Sequence, residues 1–135
     1  MLALPLAVIS FFLSHVLWPE SASGMTPTSS QVPFFIFLAA LESVSFGIGV
    51  AFAIFGWPRL VGILPEDRAL SLAAFIAITW MLVSWWPHDN MHRVNGMDMA
   101  GLLRIEYLFH LTLILSGFLV ALFFWRLMSK SQQTL

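Results

Sequence analysis

The chain has 135 residues, 59% of them hydrophobic and 10% charged, with a mean hydropathy of +0.88. Soluble domains carry about 25% charged residues, so an ordinary soluble fold is excluded and an all-α polytopic membrane protein is indicated. A net charge of −1 with no Lys/Arg run excludes a nucleic-acid partner, and the absence of cysteine excludes disulfides, thiolate metal sites and cysteine nucleophiles.

In chain order, residues 2–18 are apolar and end at Trp18-Pro19, which suits a first spanning helix with an interfacial Trp. A cleaved signal peptide competes with this, because the small residues Ser21-Ala22-Ser23-Gly24 follow; no Lys or Arg precedes the apolar run. The loop 19–32 leads to a second span over 33–57, in which Ser43, Ser45, Gly47 and Gly49 allow close helix approach. After Pro58-Arg59, a linker reaches Arg68, with Pro65-Glu66-Asp67 opening the next helix. The third span covers 69–86 and is predicted to stop at Pro87. A connector over 87–98 contains the turn Asn95-Gly96 and the candidate N-cap Asp98. The fourth span covers 99–125 and a polar tail follows. The expectation is one transmembrane domain over 1–135, a four-helix bundle.

Charge sets the orientation. Four spans put Arg59, Arg68, Arg126 and Lys130 on one side, against Arg93 and Arg104 on the other. The positive-inside rule then predicts a multi-pass cell-membrane protein with both termini cytoplasmic. Residues 85–110 hold three of the four histidines and five of the thirteen charged residues, all at the outer end. At 1.5 Å per residue, Glu42 and His110 each lie about 14 Å from the outer end of their spans. Ionisable groups at such depth turn toward the bundle interior, so Glu42 is predicted to face the Glu106/His110 stripe.

His88, Asp89, His92, Glu106, His110 and Glu42 form the candidate metal set. Glu106 and His110 are four apart and share a helix face, and His88 and His92 do so if the helix continues past Pro87. Two His and one or two carboxylates suffice for zinc, iron or copper with an open position. The competing reading is a metal-free hydrogen-bonded cluster at headgroup level. Met91, Met97 and Met99 nearby suit copper, or merely fill gaps. A haem bridged by His15 and His110 is a further alternative.

The run Trp85-Trp86-Pro87-His88-Asp89-Asn90-x-His92-Arg93, with Gly101-Leu102-Leu103-x-Ile105-Glu106-Tyr107-x-Phe109-His110, resembles a group of small bacterial integral membrane proteins. The resemblance covers about the last third of the chain and implies a membrane protein but no activity. The pattern is also similar to histidine-rich membrane di-iron hydroxylases and desaturases. Those use eight or more histidines where this chain has four, a departure that argues against a di-iron oxygenase.

The functional expectation is a membrane protein binding a metal ion or small ligand at this polar site. Two alternatives stand beside it. One is an accessory subunit that docks a larger membrane complex or a second copy through the same cluster; the other is a small proton-coupled transporter using Glu42.

Overall fold

The computed structural model describes residues 2–19 and 27–133. The small residues at 21–24, where a signal-peptide cut was expected on the competing reading, lie outside them. Six helices follow one another: α1 (Ala3–Leu17), α2 (Val32–Phe55), α3 (Trp57–Ile63), α4 (Arg68–Val83), α5 (Trp85–Asn95) and α6 (Met99–Gln133).

Helix boundaries follow local chemistry. Before α2, the Thr28 amide donates to the Gln31 side chain at 2.9 Å, and Pro33 sits in the first turn, where a missing N–H costs nothing. Asp67 caps α4 by accepting from the Leu70 amide at 3.0 Å. Asp98 caps α6 through the amides of Ala100 and Gly101, both at 3.2 Å, as its sequence position predicts. Gly96 closes α5 at φ 57°, a left-handed conformation that glycine adopts without strain.

Two predicted boundaries move. The third span is not one helix to residue 86: α4 stops at Val83 and α5 leaves at 43° to it. Pro87 therefore falls in the first turn of a new helix and does not terminate an old one. The first four N–H groups of a helix have no internal acceptor, so proline is tolerated there, and the predicted loop is helical to Asn95. The tail beyond 125 is also helical, because nothing between Arg126 and Gln133 breaks the helix.

The apolar helices fit a membrane protein. α2 and α6 are each long and apolar enough to cross a bilayer, and α4 with α5 counts as a third only where the bent pair is one span. α1, with 15 residues, is about 22 Å long against a hydrocarbon core of about 30 Å. It is shorter than the expected first span.

The helices form a row. α1 packs on α2, α2 on α4, and α4 on α6, while α5 touches both α2 and α6. Among the described residues no substantial contact runs from α6 back to α1, so the all-helical fold is an open row with two or three candidate spans. Small residues set the spacing. A Cβ on Gly47 would collide with the backbone of Ala3 and Ala7, and one on Gly49 would press into Leu82 and Val83. The Ser45 hydroxyl, on the same stretch of α2, donates to the Leu82 carbonyl at 2.8 Å. At the far end from α5, Leu60, Leu64, Ala74 and Phe123 close into an apolar core.

Candidate metal centre

α5 has two working faces, four residues apart along the helix. His88 and His92 point toward α6. Trp86, Asp89, Asn90 and Arg93 serve the side toward α1 and α2.

On the α6 side, His92 Nε2 lies 3.2 Å from His88 Nε2 and 3.1 Å from Glu106 Oε1. The second Glu106 oxygen, Oε2, is 2.6 Å from His110 Nδ1. His88, Glu106 and His110 each offer one ligand atom, and these three atoms lie within 4.8 Å of one another. The His88 ring is braced at its edge by Phe109, with centroids 5.0 Å apart, and tilts against His110 at 5.4 Å. Phe109 is itself buried and stacks on Trp80 at 5.6 Å, whose indole N–H donates to Thr112 at 2.9 Å. Two contacts between α4 and α6, one aromatic and one to a hydroxyl, therefore hold the floor of the cluster.

The donor set fits a transition-metal ion. Bonds of about 2.0–2.2 Å to nitrogen and oxygen place tetrahedral donors about 3.3–3.5 Å apart. His92 lies at 3.1 and 3.2 Å from Glu106 and His88, near this spacing, while Glu106 and His110 at 2.6 Å are at ion-pair distance and would have to separate to share an ion. The cluster is also open: the side chains of Glu106 and His110 are 40% and 54% exposed. One side of such a site stays available to water or an added ligand.

No family model, curated protein or solved structure matches this chain. The chemistry of the site consequently rests on its own geometry.

On the other face of α5, Asp89 and Arg93 are the charged groups beside Glu42 of α2. Arg93 donates toward His15 Nδ1 on α1 at 3.0 Å and to Asn90 Oδ1 at 3.3 Å. The buried Trp86 indole N–H donates to Ser14 at 2.8 Å, with Trp18 and Phe46 packed around its ring at 4.6 and 4.5 Å. The six predicted residues thus divide. His88, His92, Glu106 and His110 converge; Asp89 and Glu42 lie behind them.

Glu42 does not face the Glu106/His110 stripe. Equal depth was read as contact, but α5 stands between α2 and α6 and supplies the charged neighbours itself. His15 and His110 likewise serve opposite faces of α5, which removes the geometry for a bridging haem. Met91, Met97 and Met99 are all exposed. Arg93 and Asn90 escaped the sequence reading; the signal available was the four-residue spacing from Asp89 to Arg93 and from Trp86 to Asn90.

Proposed function

We propose that this integral membrane protein binds one divalent transition metal through His88, His92, Glu106 and His110. The observation that carries the reading is convergence: ligand atoms of His88 on α5 and of Glu106 and His110 on α6 lie within 4.8 Å of one another, and His92 borders the group through His88 and Glu106. Imidazole and carboxylate together suit zinc, iron or copper, and the half-open geometry leaves a position for water or a small ligand. The row of helices supplies a rigid floor on one side and solvent on the other.

The location follows from charge. Arg59, Arg68, Arg126 and Lys130 gather at the end opposite the cluster, so the positive-inside rule puts that end in the cytoplasm and the metal site on the outer side. A cysteine at Ser30 is then reached by an impermeant thiol reagent from outside, and one at Ser131 is not.

Metal analysis of the detergent-purified protein tests the reading. One equivalent of metal per chain is expected, and the double variant His88→Gln with His92→Gln loses it while remaining helical. A wild-type protein that binds no zinc, iron or copper at micromolar free concentration would leave the cluster as a hydrogen-bonded dock between α5 and α6.

A further inference from the structure

Between Glu106 and Arg126 the sequence of α6 holds no Asp, Glu, Lys or Arg, and its charges resume with Arg126 and Lys130. At 1.5 Å per residue, the stretch from Arg104 to Arg126 is about 33 Å long, close to a hydrocarbon core of about 30 Å. A membrane-crossing α6 therefore places Arg126 at headgroup level. Trp125 beside it is 64% exposed, as suits a tryptophan at the membrane interface.

At this level α6 meets the turn between α3 and α4 around a cavity of about 210 Å³, lined by Leu64, Glu66, Arg126, Ser129 and Lys130. A single water needs about 15 Å³, so there is room for a larger polar group. Arg126, Ser129 and Lys130 are three and four residues apart and share one face of α6. Lys130 is paired with Glu66. Arg126 feels the Glu66 charge but forms no hydrogen bond or ion pair among the described residues. The Ser129 hydroxyl turns back on its own helix, donating to the Trp125 carbonyl at 3.0 Å. Among the lining residues, one carboxylate thus serves two cations.

We infer that this cavity binds the phosphate of an anionic phospholipid headgroup, held by Arg126 and Lys130 with Ser129 as a neutral donor. The guanidinium fork matches two phosphate oxygens, and the ammonium adds a point charge. Basic pockets between spanning helices take such headgroups. The inference needs α6 to cross a membrane; it does not depend on the metal centre, which lies toward the other end of the same helix.

Glu66 gives the inference a sign. Its carboxylate occupies Lys130 and repels a phosphate, so a headgroup has to displace it. Removing the Glu66 charge then tightens lipid binding, whereas removing Arg126 or Lys130 weakens it. An ion pair that merely clamps α6 to the α3–α4 turn would respond alike to the loss of either partner, and the cavity would hold no lipid in preference to another.

Native mass spectrometry of the full chain in mild detergent tests this, with phosphatidylglycerol, phosphatidylcholine and inorganic phosphate as the added probes. The expected result is one phosphatidylglycerol retained per chain, in preference to phosphatidylcholine and not displaced by inorganic phosphate. Arg126→Gln and Lys130→Gln should each weaken phosphatidylglycerol binding roughly 5–10-fold, the scale of one lost charged contact. Glu66→Gln should strengthen it, and all three variants should keep the wild-type circular-dichroism signal. Equal retention of the two lipids, unchanged binding in Arg126→Gln, or weaker binding in Glu66→Gln would overturn the inference. Displacement of the lipid by an equal concentration of inorganic phosphate would overturn its lipid source and make the cavity a soluble-phosphate site.

Discussion

At the end bearing α3, Leu60, Leu64, Ala74 and Phe123 close on one another, none more than 7% exposed. At the end bearing α5, the helices meet through Trp86–Ser14, Arg93–His15 and the His/Glu cluster. The apolar end needs only complementary shape, because in lipid no hydrophobic drive distinguishes a leucine from its surroundings and packing does the holding. The polar end uses directional bonds, each of which fixes an angle as well as a distance. Packing leaves no lone pairs pointing anywhere. Directional bonding of α5 from behind leaves the imidazole nitrogens free to converge in front, half open to solvent.

This contrast can be broken at either end. Phe123→Ala should have the largest effect on stability: a buried ring, 1% exposed, leaves a cavity costing about 3 kcal/mol. Thermal unfolding in detergent should fall clearly, while metal affinity stays at the wild-type value. Gly47→Val comes next, since its side chain meets the Ala3 and Ala7 backbone, which cannot yield as a flexible side chain does. Overpacking of this kind costs about 1–3 kcal/mol, and proteolysis should release α1 faster. Trp86→Phe is smaller. It replaces the buried indole with a smaller phenyl and removes the hydrogen bond to Ser14, the bond alone being about 1 kcal/mol; a chemical-denaturation midpoint unchanged from wild type would remove that bond from the account.

Elements with a strong apolar signal were legible in the sequence. The second span appears within two residues of its predicted bounds and the fourth starts where predicted, at Met99, though it runs on to Gln133; hydropathy marks apolar stretches regardless of their neighbours. Gly47 and Gly49 were legible too, since small residues in an apolar span have little use except close approach. α5 was not. Pro87 has two meanings, breaker in a helix interior and acceptable residue in a first turn, and the chain takes a course between them: the helix bends by 43° where Pro87 removes the bond to Val83, and goes on. The surroundings of Glu42 were hidden for another reason. Rise per residue fixes height along a span, but the order of helices in the row fixes who stands opposite whom. The His/Glu cluster was half legible: the spacing of Glu106 and His110 shows a shared face, and its meeting with His88 and His92 depends on α5 being helical.

The smallest expected effect lies at the packed end. Glu66 is paired with Lys130 and sits near Arg126, and the Lys130 hydrogen bond, foremost, holds its carboxyl below the ordinary glutamate range. A carboxyl depressed in the folded state contributes stability above its unfolded value and loses it as pH falls through the folded one. The pair is exposed, so screening by water keeps the contribution small. By NMR, the Glu66 carboxyl should titrate low in wild type and return toward the ordinary value in Lys130→Gln, with almost no change in unfolding temperature.

The central claim is that the polar end holds a metal, and cobalt titration tests it most directly because Co²⁺ reports its own ligand field. Purified protein titrated with Co²⁺ should develop visible d–d absorption that saturates at one equivalent per chain and is displaced by zinc. Glu106→Gln should abolish that band while leaving the helical circular-dichroism signal intact. A featureless titration of the wild-type protein, or a band that survives in Glu106→Gln together with His110→Gln, would contradict the account.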